Sequence, residues 1–162
     1  MPSSYRILKA DMTDASHAAA LVQLLDEYAR SEEGGAKALS DAVKLQLPTA
    51  IAQRSHAHVL IAWDGLIPAG LIVAFEGFST FQCKPLLNLH DVIVSQPFRG
   101  QGLSKMLLRE AVELASRLGC CKLTLEVLEH NEIAKRAYVS VGFSGYELDP
   151  RFGRAHFWEK KL

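Results

Sequence analysis

Apolar positions recur along the chain at two periods, and the switch between them predicts the order of elements. Residues 5–10 (YRILKA) read as a first strand. Asp14 is placed to cap a helix whose apolar stripe is Ala18, Leu21, Val22, Leu25 and Tyr28. Residues 31–35 (SEEGG) form a loop, and a second helix is expected from Ser40, broken or restarted at Pro48. Residues 59–63 and 69–76 read as two strands joined at the turn signal Asp64-Gly65. Another strand covers 86–95. A helix over 103–118 carries Leu103, Met106, Leu107, Ala111, Leu114, Ala115 and Leu118 on one face and stops at Gly119. A strand at 122–128, a helix at 131–140 ended by Gly142, and a strand pair at 143–148 and 155–161 complete the chain. Strands joined by turns thus come first, then strand–helix–strand–helix–strand. That order predicts an α/β protein with a mixed, mostly antiparallel sheet of about seven strands and helices on both faces.

Composition narrows the class. The 162 residues suit a single domain over 1–162 with a sizeable core. With 18 basic and 18 acidic side chains the formal net charge is zero, which gives no bulk attraction to nucleic acid. The opening stretch MPSSYRILKADMTD lacks the apolar core of a signal peptide, and no apolar run is long enough for a membrane span. Three cysteines, Cys83, Cys120 and Cys121, without CxxC spacing read as reduced thiols in a cytoplasmic protein. His56 and His58 share a strand face, but no carboxylate or cysteine is near them in sequence, so no metal is expected.

The stretch FRGQGLSKMLL, residues 98–108, sets three small residues, Gly100, Gly102 and Ser104, two apart before a helix. Glycine costs backbone entropy, so the cluster needs a reason. One reason is a tight turn. Another is a helix N-terminus whose unpaired N–H groups bind an anion, with Arg99 and Gln101 adding donors. The order is neither GxGxxG nor GxxxxGK[ST], so neither common nucleotide fingerprint applies.

Arg99-Gly100-Gln101-Gly102-Leu103-Ser104 resembles the pyrophosphate loop [RQ]-x-x-G-x-[GA] of the GNAT acetyltransferases, with Ser104 where Gly or Ala is usual. Asn131, Ala134, Tyr138, Gly142 and Phe143 match the family's N-x-x-A-x-x-x-Y-x-x-x-G-F. The element order agrees over nearly the whole chain. The resemblance implies the GNAT fold, acetyl-CoA as donor and a small-molecule amine as acceptor. It places residues 99–104 on the pyrophosphate, the backbone of Val92, Ile93 and Val94 along the pantetheine arm, and Asn131 and Tyr138 near the thioester.

Acetyl transfer to an amine needs a free lone pair. Neutralising an alkylamine of pKa near 10.4 at pH 7 costs about 4–5 kcal/mol. A base must remove a proton, and the leaving thiolate gains from a proton donor. His90, with a reference pKa nearest neutrality, is the expected base. Arylalkylamine acetyltransferases carry a histidine at this distance before the loop, and the spermidine/spermine branch carries a glutamate followed by Asp. Only one of His90 and Asp91 should face the cleft unless a bulge intervenes. Asp91, or water held by Glu76 or Glu126, is next in line. In the family pattern Tyr138 protonates the thiolate; the other reading is an aromatic packed on the sheet. Asn131 caps its helix, bonds the cofactor, or both.

The stretches LVQLLDEYARSEEGG and FEGFSTFQCKPLLNLHDVIV resemble the spermidine/spermine branch. Glu27, Glu32, Glu33, Glu76 and Asp91 would make an acidic mouth for a cationic amine; the other reading is a solvated acidic face. Aminoglycoside-like and peptide amines are the alternative acceptors, and a non-catalytic acyl-CoA sensor the alternative class. Phe157 and Trp158 on the last strand suit a homodimer interface.

Overall fold

The computed structural model describes residues 5–162. Its elements are β1 (Arg6–Lys9), α1 (Ala15–Arg30), α2 (Asp41–Ala52), β2 (Ala57–Asp64), β3 (Ile67–Ser79), β4 (Lys84–Val94), α3 (Leu103–Arg117), β5 (Leu123–Leu125) and α4 (Glu132–Val139). A short 3₁₀ turn at Gln96–Phe98 joins β4 to α3, and another at Pro150–Phe152 follows α4. The sheet order is β1-β2-β3-β4-β5, antiparallel except for the parallel pair β4–β5. The mixed α/β class is as the pattern predicts.

Two apolar layers sandwich the sheet. Ala20, Leu21 and Leu24 of α1 and Ile51 of α2 pack on Val59, Ile61, Leu71, Val73 and Ile93. Leu103, Leu107, Leu108, Ala111 and Leu114 of α3 cover Leu60, Ile72, Ala74, Leu87 and Leu89 on the opposite face. The run from His58 to Trp63 is buried throughout, as a strand covered on both faces must be. Gly70 lets α3 approach closely: a Cβ there would lie 2.8 Å from Leu107 Cδ1 and 3.0 Å from the Ile93 carbonyl oxygen.

Local signals account for the helix ends. The Asp14 carboxylate accepts from the amides of Ser16 and His17, and Ser40 Oγ accepts from Val43 N. Helix α2, however, runs through Pro48. Proline in a helix interior costs about 3 kcal/mol, but Ile51 beyond it is buried against the α1 layer, and Leu47 before it is partly so.

Two strand expectations need correction. The strand expected over 122–128 is only three residues long, because the chain leaves β4 after Leu125. Residues 143–148 and 155–161 form no strands, so the sheet has five strands among the described residues rather than about seven. The short β5 offers little edge to pair with, and Pro150 and Gly153 (φ 76°) bend the chain between the two segments. The aromatic side chains there lie outside both layers, with Trp158 86% exposed.

Candidate active site

The departure of β5 opens the site. Pairing of β4 with β5 ends at Leu89↔Leu125, while β4 continues to Val94. Between β4 and residues 126–128 lies a cleft of about 900 Å³. Val92, Ile93 and Val94 line one wall, Glu126, Val127 and Leu128 the other, α4 lines it as well, and the loop leading into α3 lies at one end.

The glycine loop forms that end. Gly100 (φ 75°) and Gly102 (φ 80°) are left-handed, and a Cβ on either would meet no protein atom within 4 Å. Glycine is favoured there by the backbone, and the space in front of it is open. The first bonds inside α3 run from Lys105 and Met106 to the Gly102 carbonyl. The amides of Leu103 and Ser104 therefore have no intrahelical acceptor. Arg99 is tied by Nε to the Val94 carbonyl at 3.1 Å. Arg99, Gly100, Gly102, Leu103 and Ser104 all line the cleft. Gln101 does not: its side chain accepts from the Tyr5 hydroxyl at 2.7 Å and donates to the Pro97 carbonyl at 3.1 Å.

At the other end, a bulge resolves which of two neighbours faces inward. Val73 pairs with Asp91, but Ala74 pairs with Leu89, so His90 is an extra residue in β4. Both His90 and Asp91 consequently line the cleft. His90 packs edge-on against Phe75, with centroids 5.6 Å apart. Burial pushes the Asp91 carboxyl above the usual 3.8, and neighbouring His90 opposes this in part. Tyr138 faces them from α4, backed by Phe143 at 6.0 Å. Burial, then the nearby Tyr28, raises its hydroxyl above the ordinary 10.0. Asn131 does two things: its Oδ1 caps α4 by accepting from Ala134 N at 3.1 Å, and it lines the cleft.

Tyr28 packs on the α1 apolar layer, as its place in the stripe predicts, and also has a place in the cleft that the sequence pattern did not show. It lines the cleft, and burial followed by the charges of Asp91 and Glu33 raises its hydroxyl. A laced loop holds it. Its carbonyl accepts from Ser31 N at 2.9 Å and Ser31 Oγ at 2.6 Å, and its hydroxyl donates to the Glu33 carbonyl at 3.3 Å. Gly34 passes so close that a Cβ would sit 2.0 Å from the Tyr28 oxygen. The signal available in sequence was position: Tyr28 is in the last turn of α1, just before SEEGG.

Of the expected acidic mouth, Glu33 and Asp91 line the cleft and Glu27, Glu32 and Glu76 do not. Glu27 accepts from Ser95 Oγ at 2.8 Å and Gln96 N at 2.9 Å, so it braces the turn leading into the glycine loop. Glu76 is bonded at 2.6 Å to Nε2 of buried His58. No cluster of three or more metal-ligating side chains occurs among the described residues, and no described helix is long and apolar enough to cross a membrane.

Known proteins resemble this chain in sequence and in fold. The model of the acetyltransferase (GNAT) family matches residues 19–143. The thialysine N-epsilon-acetyltransferase of Caenorhabditis elegans is 28% identical over 127 residues, 78% of this chain and 77% of that protein. The streptothricin acetyltransferase of Streptomyces lavendulae is 32% identical over 80 residues, 49% of this chain and 42% of that protein. The solved structure of aminoglycoside N-acetyltransferase AAC(6')-Iy in complex with CoA superposes with a TM-score of 0.74 at 20% identity, over 100% of this chain and 98% of that one. The last likeness is one of fold. Family match, glycine loop and parted strands agree: the chain belongs to the GNAT acetyltransferase family and is an N-acetyltransferase.

Proposed function

We propose that the cleft takes acetyl-CoA and passes its acetyl group to the primary amine of a small cationic substrate by direct attack. The observation that carries this reading is the bulge at His90, which sets an imidazole and a half-buried carboxylate in the same cleft as Tyr138 and the glycine loop. The residues fit the donor. The open space before Gly100 and Gly102 and the amides of Leu103 and Ser104 suit a diphosphate. Beyond Leu89 the outer edge of β4 has no strand partner, which leaves Val92, Ile93 and Val94 to bond an extended pantetheine arm.

His90 takes the proton from the ammonium of the acceptor, and Asp91 beside it favours the imidazolium that results. Tyr138 holds its hydroxyl proton through neutral pH and gives it to the leaving sulfur. Glu33 and Asp91 supply negative charge for a cationic acceptor, and Tyr28 walls the space between them. The curated relative from Caenorhabditis elegans, named for a basic amino acid, supports that choice. Phe157 and Trp158, 74% and 86% exposed, support a homodimer. The free thiols at Cys83, Cys120 and Cys121 support a reducing, cytoplasmic setting.

The test is release of CoA thiol from acetyl-CoA across a panel of amines. Diamines and basic amino acids should turn over faster than neutral amino acids of equal size. Turnover of aminoglycosides or peptide N-termini alone would overturn the acceptor assignment.

A further inference from the structure

The imidazole at the bulge has little to hold it. His90 is exposed, and its side chain makes no hydrogen bond or ion pair among the described residues. It is the extra residue of β4, without a partner on β3, where a bulge bends the backbone. Asp91, its neighbour in sequence, acts on it through charge. Its ring contact is with Phe75, at 5.6 Å between centroids and 83° between planes. That is the edge-to-face arrangement that aromatic pairs prefer. Phe75 itself is fixed from several sides. Its backbone is paired on both edges of β3, to Ala57 of β2 and Asn88 of β4. Its ring is partly buried against the layer under α1, with His56 as a second ring neighbour 5.9 Å away and tilted by 47°. The next residue, Glu76, donates from its amide to the His56 carbonyl at 2.8 Å, and its carboxylate is bonded to Nε2 of buried His58 at 2.6 Å.

A general base has to sit within hydrogen-bond reach of the proton it takes, and a small misplacement slows the reaction steeply. An exposed ring without a hydrogen bond has several side-chain rotamers open to it. We propose that Phe75 is a positioning residue for acetyl transfer: its ring, anchored in the core and braced by His56, holds the imidazole of His90 aimed into the cleft. The inference rests on the reading of His90 as the base. Phe75 does not line the cleft, so it touches neither donor nor acceptor there. Its effect on the reaction passes through His90.

Steady-state kinetics of the full chain, with acetyl-CoA and the amine that turns over fastest, test this. Phe75→Leu removes the ring and keeps an apolar side chain. It should lower kcat about tenfold, with KM for the amine and affinity for desulfo-CoA within about twofold of the wild type. Phe75→Tyr keeps the ring and should hold kcat within about twofold. In a His90→Gln background, Phe75→Leu should lower kcat by less than about twofold more, because residues that act as a unit are not additive. A further tenfold loss in that background, or the same loss in Phe75→Tyr, would make Phe75 a packing residue and overturn the proposal. Full kcat in folded Phe75→Leu, beside a loss in His90→Gln, would overturn the positioning and keep the base. Full kcat/KM in His90→Gln would overturn the base reading and the positioning together. Should Phe75→Leu not fold, NMR of the wild type decides: a nuclear Overhauser contact between the ring protons of Phe75 and His90 is expected, and its absence would overturn the proposal.

Discussion

At the end of the cleft proposed for the donor, a ligand would meet mostly backbone: two left-handed glycines, the open amides of α3 and the unpaired edge of β4. At the acceptor end it meets side chains from four separate elements, Tyr28 of α1, Glu33 of the following loop, His90 and Asp91 of β4, and Tyr138 of α4. Backbone sites tolerate little change in sequence, because only small residues leave the approach open. Side-chain sites can be re-aimed by one substitution or one bulge. On the proposed reading the donor end holds what all acetyl transfers share, and the acceptor end holds what would make this one particular.

Breaking the chemistry between the two ends should give the largest effect. His90→Gln should lower kcat/KM by about 10²-fold, as loss of a general base does. Full kcat/KM in the folded variant would move the base to Asp91. Tyr138→Phe keeps the ring against Phe143 and removes only the hydroxyl, so kcat should fall about 10²-fold with donor affinity unchanged. The raised pKa means the hydroxyl stays protonated as pH rises, so the wild type should lose activity from this group only above 10.0. Full kcat in Tyr138→Phe would leave the tyrosine a packing residue.

The donor end should break next. Gly102→Asp places a side chain and a negative charge in the space before the α3 amides, and forces aspartate to φ 80°. Affinity for desulfo-CoA should fall at least tenfold, about 1.4 kcal/mol or more. Unchanged affinity in the folded variant would remove the phosphate reading of the loop.

This contrast also decided what the sequence disclosed. The glycine spacing before an amphipathic helix pointed to a left-handed loop at the α3 N-terminus because a local stretch builds it. Tyr28 did not stand out, because its role depends on a sheet and a loop that meet it only in the fold. Glu27 and Glu76 looked like acceptor ligands but are spent on Ser95, Gln96 and His58, partners as many as 69 positions distant. The bulge at His90 left no mark, since its cause is register against β3. The last two strands failed for a related reason: alternation predicts a strand, but a strand needs an edge to join.

The acceptor end should also show its character in stability. The raised Asp91 carboxyl binds its proton more tightly folded than unfolded, so the folded state is favoured at low pH. That advantage is lost as pH rises from the ordinary 3.8 through the raised value. Asp91→Asn removes the buried charge, so Tm should rise at pH 7 and change little near pH 3, with about 2–4 °C for each kcal/mol relieved. A lower Tm at pH 7 would mean that Asp91 holds the bulge in place.

The smallest effect expected is at Glu33, and it isolates acceptor charge from everything else in the cleft. The side chain is exposed and belongs to the loop laced onto Tyr28. It contributes to that lacing through its carbonyl, not its carboxylate, so Glu33→Gln leaves the wall standing. What changes is one negative charge at the mouth. An exposed charge pair is worth about 0.2–1 kcal/mol, which corresponds to about a 1.5- to 5-fold rise in KM. The rise should appear with a diamine and not with a monoamine of equal length, because only the second ammonium reaches the mouth. It should shrink at an ionic strength near 1 M, where the screening length is about 3 Å. An equal rise for both amines would mean that Glu33 acts through the shape of the loop. No rise for either would leave Asp91 as the carboxylate that selects the acceptor, and would set the acidic character of this end below the surface of the cleft.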